Sequence, residues 1–416
     1  MKWKNKGHEF DVLAQKLLEN KEKYRHIYIF GAGLIGANLI AMLQAYGILE
    51  GFIDNDISKQ QSGYKGFRVY SIDEYIDMQK GFIVIAASDK NIPDISKQLE
   101  MEQLSEERDF VSHTKFCNKI FPVVSVYLFD KVFVDLAQIS LTERCSLKCR
   151  KCAHGCFAVD NSKAKDLTID QVHRSADSFF SKVDFIYEFV LIGGEPLLYR
   201  HLADAVQYIG RKYRKKIGIF SITTNGTILP DQETLKLCKD NHVLFRISNY
   251  REAIPGLKDS YKRLTDLLDK NGIVYELGTK EKEWMDYGFD YVNHGADVVE
   301  MTRIFDACKT PCREVRENRY YFCVMARSVS ENMEFHAGKD DYLDLDTMTR
   351  ENYKRELLEF NFGYSEKGYL DMCNYCHGAD SVKYPIPAAE QAETYQKEDG
   401  YGQRDNNKRS GASIQC

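Results

Sequence analysis

The stretch LTERCSLKCRKCAHGC, residues 141–156, holds four cysteines, and Cys145, Cys149 and Cys152 follow the spacing C-x3-C-x2-C. Thiols spaced in this way on one short loop can ligate a soft metal ion, hold an iron–sulfur cluster or form a redox pair. Three of them fall one short of a structural zinc site, which His154 or Cys156 could complete. A thioredoxin-like pair at Cys149 and Cys152 would need a clear helix after it, and the segment that follows is irregular. A second group comes later: Cys308, Cys312 and Cys323, then Cys373 and Cys376 as C-x2-C about fifty residues on. Four thiolates from these five can close a second [4Fe–4S] cluster or a zinc ribbon. The set expected is Cys312, Cys323, Cys373 and Cys376, with Cys308 the alternative to Cys312. His336 and His377 lie near this group and are read as surface or core residues.

A third signature is Gly31-Ala32-Gly33-Leu34-Ile35-Gly36. An apolar run from His26 to Phe30 precedes it, a helical pattern through Leu39, Ile40 and Leu43 follows, and a second strand at Phe52 and Ile53 ends in Asp54. In that context Gly31, Gly33 and Gly36 let backbone approach a pyrophosphate, the helix start offers free N–H groups, and Asp54 could accept ribose hydroxyls. NAD(P) or a nucleotide sugar suits this chemistry; on the plainer reading the glycines only serve the tight turn.

The residues that could do chemistry from Val132 onward sit at the ends of strands. "VFVDLAQIS" (132–140) runs into the cysteine loop and "FVLIGGEPLL" (189–198) into Gly193-Gly194-Glu195. "IGIFSITTNGT" (217–227) runs into Thr224-Asn225-Gly226 and "HVLFRISNY" (242–250) into Ser248-Asn249-Tyr250. Helical patterns lie between them, one opened by a Thr168…Gln171 capping box with Ile169, Val172, Ala176 and Phe179 on one face. In a βα barrel the C-terminal strand ends converge on one face, where chemistry sits. Arg246 and Trp284 fall near such a mouth, with core or rim roles expected.

The whole chain of 416 residues is 44% hydrophobic and 29% charged, with net charge −5. That balance gives no electrostatic reason to expect nucleic acid or an anionic membrane as partner. No apolar h-region and no 18-residue apolar run occurs, so a cytoplasmic, reducing compartment is expected, where clustered thiols bind metal more often than they pair. The polar C-terminal end reads as a disordered tail.

The set "LTERCSLKCRKC … LIGGEPLL … TTNGT … RISNY" resembles the radical SAM superfamily over about residues 132–300. The resemblance implies that Cys145, Cys149 and Cys152 hold three irons of a [4Fe–4S] cluster whose fourth iron is chelated by S-adenosylmethionine (SAM). It further implies that Gly193, Gly194 and Glu195 receive the methionyl amino group, that Thr224 and Asn225 contact SAM, and that Ser248 and Asn249 contact its ribose or carboxylate. Lys151 stands where the family often has an aromatic residue over the adenine. "CREVRENRYYFC … CNYCHG" is similar to SPASM/twitch auxiliary Fe–S domains, and residues 24–110 look like small Rossmann domains attached to bacterial cell-surface sugar enzymes. The long match looks like radical SAM proteins of surface-polysaccharide genes.

The expected architecture is α/β: a Rossmann-like domain (1–115), a linker (116–131), a partial (β/α)6 TIM-type barrel (132–300), a small cysteine-rich domain (301–385) and a tail (386–416). The expected function is radical C–H activation on a sugar or nucleotide sugar, with an electron donor such as flavodoxin or ferredoxin. A peptide maturase is the runner-up, and a NAD-dependent oxidoreductase with structural metal or a non-catalytic Fe–S sensor are rivals of other kinds.

Overall fold

Four-residue strands with no polar face must be buried on both sides, and Ile27–Phe30 and Phe82–Ile85 are buried at every position. In this computed structural model, which describes residues 9–78, 81–280, 282–288, 293–308, 310, 312–333, 341–348, 353–364 and 367–392, they form the middle of the first sheet. Its strands are β1 (Ile27–Phe30), β2 (Leu49–Ile53), β3 (Val69–Tyr70), β4 (Phe82–Ile85) and β5 (Phe110–Ser112). They are parallel and ordered β3-β2-β1-β4-β5. The order reverses between β1 and β4, the kind of switch point at which open parallel sheets bind ligands.

The second sheet holds β6 (Phe133–Ser140), β7 (Phe185–Ile192), β8 (Ile217–Thr224), β9 (Val243–Ile247) and β10 (Tyr275–Leu277), parallel and in chain order. Helices Ile169–Lys182, Leu202–Tyr213, Gln232–Asp240 and Leu257–Asn271 connect them, burying Phe179, Val206, Leu235 and Leu264 in one core with Phe189, Phe220 and Phe245. The capping box is made: Gln171 N donates to Thr168 Oγ1 at 3.2 Å and Thr168 N to Gln171 Oε1 at 3.0 Å. Every one of these strands therefore points its C-terminal end the same way.

The architecture departs from the expected one in three places. After β10 the row stops: β11 (Glu283–Met285) pairs with β15 (Pro385–Pro387) in a separate ribbon. The sixth parallel strand, β12 (Glu314–Arg316), instead joins the other edge beside β6, followed by β13 (Arg319–Tyr321) and β14 (Tyr342–Asp344). The division at 300/301 consequently cuts through one continuous sheet. Residues 116–131 are not a loose linker, because Phe116, Phe121, Val123 and Val124 are buried against Tyr46, Phe82 and Phe133. Nor does the ordered chain end at 385: residues 386–392 are placed, and of the expected tail only 393–416 lies outside the described residues, as does His336.

The added edge is locked from inside. Arg327, on helix Val324–Asn332, has no exposed surface; its Nη1 pairs with Glu143 and its Nε lies 2.6 Å from Glu314 Oε1. Asn332 Nδ2 adds bonds to Glu143 Oε2 and to the His154 carbonyl, both 2.8 Å. Removing one member of such a buried set leaves an uncompensated charge, at a cost of about 3–5 kcal/mol. Among the described residues no helix is long and apolar enough to cross a membrane.

Candidate active site

The loop after β6 carries Cys145, Cys149 and Cys152, and its start is fixed before the cysteines begin. Thr142 Oγ1 donates to Asp166 Oδ1 at 2.6 Å, and Arg144 reaches the same carboxylate at 3.0 and 2.5 Å and the Leu198 carbonyl at 2.7 Å. The loop after β7 lies directly on it: Gly194 N donates to Thr142 O and Glu195 N to Arg144 O, each at 2.8 Å. A Cβ on Gly193 (φ +149°) would stand 2.4 Å from Thr142 O, and one on Gly194 would stand 2.2 Å from Arg144 O. Both glycines are therefore required by backbone-to-backbone approach between two loops, whatever else they contact.

Glu195 does not face outward as expected. It has no exposed surface, and its carboxylate accepts from Leu197 N (3.0 Å), Thr224 Oγ1 (2.8 Å) and Asn225 N (2.8 Å). Burial pushes its pKa up to about 7, against the lowering pull of those bonds. The acid ties the loops after β7 and β8 together. Asn225 continues the chain of contacts, with Nδ2 3.1 Å from Ser146 Oγ and 3.6 Å from Cys145 Sγ. Ser248 N donates to Thr224 O at 2.9 Å and joins the β9 loop to the set. Asn249 is turned inward: Nδ2 donates to Gly278 O (2.8 Å) and Oδ1 accepts from Arg251 Nε (2.9 Å).

The three cysteines are free thiols held close enough to influence one another's ionisation. Burial raises Cys145 to about 12 and raises Cys149 as well, while a hydrogen bond from Cys156 lowers Cys152. A bound metal supplies the positive charge that keeps such buried thiols ionised. His154 is buried beneath the loop, its Nδ1 3.4 Å from Ser140 Oγ, with burial lowering its pKa to about 4. Two of the three thiols receive N–H bonds, Cys145 from Asn225 and Cys149 from Gln391, and three thiolates are the donor set that a [4Fe–4S] cluster with one open iron takes. Lys151, which stands where the family often has an aromatic residue, pairs with Asp286 at 3.2 Å, its side chain only 10% exposed.

The later cysteines gather around an apolar cavity of about 320 Å³. Cys308, Cys323, Cys373 and Cys376 line it with Met285, Phe305, Phe322 and Met372. Cys312 does not line it, so of the two alternatives Cys308 is the one beside the cavity. The four thiols line one cavity, and both a cluster and a zinc ion take thiolate ligands. Among the described residues no group of three His, Cys, Asp or Glu side chains converges on a single ion. His377 stacks on His294 and Tyr384, and Trp284 packs edge-on to Tyr250. Arg246 pairs with Glu188 at 2.6 Å and with Glu276. Each of these three side chains is engaged in ring packing or ion pairs.

In the first sheet, a Cβ on Gly31 (φ +122°) would meet Ala86 O at 2.4 Å and one on Gly36 would meet Gly31 O at 2.3 Å, whereas Gly33 faces open space. Asp54 is already engaged: it accepts from Ala32 N (2.8 Å), Asp56 N (2.9 Å) and Lys59 Nζ (3.1 Å). It braces the glycine loop, which the expected ribose role did not anticipate.

Residues 139–259 match the family model described as "Radical SAM superfamily". This part of the chain is similar to radical SAM domains. Curated relatives similar to it include GTP 3′,8-cyclase 3 of Mycobacterium bovis, 34% identical over 98 residues that make up 23% of this chain and 25% of the relative. GTP 3′,8-cyclase of Syntrophomonas wolfei is 32% identical over 118 residues, 28% of this chain and 35% of the relative. The chain thus spans about a quarter to a third of the length of these relatives. The crystal structure of BtrN in complex with AdoMet and 2-DOIA aligns with TM-score 0.39 at 15% identity, covering 63% of this chain and 97% of that one. Arg327, Cys308 and Gln391 lie outside the residues that the family model matches. Arg327 had a signal in the sequence, a lone charge in the apolar and small run FCVMARSVS, which a buried helix tolerates only with acidic partners.

Because the folded pKa of Glu195 lies above its ordinary 4.5, the stability tied to its protonated form is full below that value and is lost as pH rises through about 7. Glu195→Gln removes the titration. In urea unfolding, wild type should exceed this variant by a wider margin near pH 5 than near pH 8; equal margins would contradict the inward placement.

Proposed function

We propose that this chain is a radical SAM enzyme that acts on a small molecule of the nucleotide or sugar class. The reading rests on one observation above all. Cys145, Cys149 and Cys152 are free thiols on the loop after β6, whose backbone is hydrogen-bonded to the loop after β7 and whose Cys145 meets Asn225 of the loop after β8, all at the same end of a parallel sheet. Cys145, Cys149 and Cys152 would hold the [4Fe–4S] cluster, which with SAM supplies reductive cleavage to a 5′-deoxyadenosyl radical. The protein's own part is positional. Gly193 and Gly194 present their backbone at the rim, Thr224 and Asn225 fix the next loop through Glu195, and Ser248 borders the third. Asn249 acts from behind by holding Gly278 and Arg251.

A second cluster would be held by Cys308, Cys323, Cys373 and Cys376 in the auxiliary, SPASM/twitch-like part, with all four irons ligated by protein. Arg313, buried and stacked 3.8 Å from the Phe322 ring, places a positive charge behind that cavity. A flavodoxin- or ferredoxin-type donor would supply the electron in the cytoplasm. The N-terminal sheet, Rossmann-like in strand order, would take NAD(P) or a nucleotide sugar over Gly33, and the GTP named in the cyclase relatives belongs to the same substrate class.

Anaerobic reconstitution should give about eight irons per chain and 5′-deoxyadenosine on adding SAM and dithionite. Cys149→Ala should abolish the product. Cys308→Ala should lose about four irons while Cys312→Ala keeps about eight. Intact clusters with no deoxyadenosine under any reductant would overturn the reading, and zinc with about four irons would reduce the second site to a structural one. For the N-terminal sheet, a Cβ on Gly33 would meet no neighbouring atom, and Gly33→Val tests the loop. It should therefore leave the melting temperature unchanged but abolish calorimetric binding of NAD(P) or a nucleotide sugar; undiminished binding would remove the nucleotide from this loop.

A further inference from the structure

The segment that ends the described chain crosses the cysteine loop as a strap. Arg150 N donates to Glu390 O at 2.7 Å and Ala392 N to Lys148 O at 2.6 Å, so residues 148–150 and 390–392 run antiparallel with Cys149 opposite Gln391. The strap is anchored upstream. β15 pairs with β11, Ala388 N donates to Lys282 O at 3.0 Å, and Ala388 and Ala389 have no exposed surface. Asp286, one residue past β11, holds Lys151 on the other side of Cys149.

The Gln391 side chain is oriented by its partners. Lys148 N, which can only donate, sits 2.8 Å from Oε1, so the amide oxygen must face it. The amide nitrogen is left facing two acceptors, Ala389 O at 2.7 Å and Cys149 Sγ at 3.3 Å. The sulfur thus receives an N–H bond from a residue more than two hundred positions away in the chain, outside the radical SAM domain.

We propose that Gln391 is a positioning residue that sets the reduction potential of the cluster at Cys145, Cys149 and Cys152 through its N–H···S bond to Cys149; this rests on the radical SAM reading above. Hydrogen bonds to cluster sulfurs are one of the means by which a protein tunes that potential. A donor stabilises the extra electron density that reduction places on sulfur, so it favours the reduced cluster and raises the potential. Asn225, at 3.6 Å from Cys145 Sγ, is a weaker donor of the same kind. The strap therefore makes the cluster's electron affinity depend on the C-terminal part being docked.

The test is a redox titration of the full reconstituted chain, following the EPR signal that changes when SAM is added. That change singles out the cluster with an open iron. Gln391→Leu keeps the two backbone bonds of the strap and removes the N–H···S bond, and Gln391→Glu replaces the donor with an acceptor of negative charge. Both should lower the midpoint potential of the SAM-responsive signal, Gln391→Glu further, with iron content equal to wild type. Glu390→Gln, which removes only the Arg150 ion pair, should leave it in place. An unshifted potential in Gln391→Leu overturns the proposal, as does a loss of iron in that variant, which would make the strap purely structural. A wild-type chain with no SAM-responsive signal would instead overturn the radical SAM reading itself.

Discussion

Glu195 carries the constraint on which the site depends. A carboxylate with no exposure must find its partners inside the protein, and this one finds them in the loop after β8: the Thr224 hydroxyl and the Asn225 N–H. Its own backbone N–H meanwhile bonds Arg144 in the cysteine loop. One residue therefore sets the spacing of three loops. The two glycines before it exist so that this contact can be made at backbone distance. Asn225, once its N–H is held, can send its side chain only toward Ser146 and Cys145. The thiols are placed by this arrangement before any metal arrives.

The second organising element is the buried Arg327. It sits four residues after Cys323 on a helix that starts at the apolar cavity, and its guanidinium pairs with Glu143, two residues before Cys145. The two cysteine sites are thereby held at a fixed distance by one side chain. Lys151 with Asp286, and Gln391 with Cys149, add two further ties between the same halves of the chain. These ties hold the part similar to radical SAM proteins against the C-terminal part, along a sheet that continues from β6 into β12.

What could be read in the sequence was local. Strand and helix periodicity, the capping box at Thr168 and the run of polar strand ends are patterns within a few residues, and the sheet positions them as read. The harder readings turned on direction. A GGE motif shows that backbones approach closely, but not whether the acid points into the fold or out of it. Asp54 follows its strand at the proper distance, yet bonds to Ala32 and Lys59 occupy its oxygens. Cys308 and Cys312 are equally well spaced, and the sequence does not show that Cys308 is the one that lines the cavity. Gln391 gave no signal at all, because a polar segment after two prolines has the composition of a tail.

The central claim is that one cluster has an open iron and the other has none. Mössbauer spectroscopy of the full chain, reconstituted with isotopically enriched iron and measured with and without SAM, tests this directly. The account predicts two four-iron clusters, in one of which a single iron changes its coordination when SAM binds. Spectra that do not respond to SAM, with both clusters assembled, would contradict it.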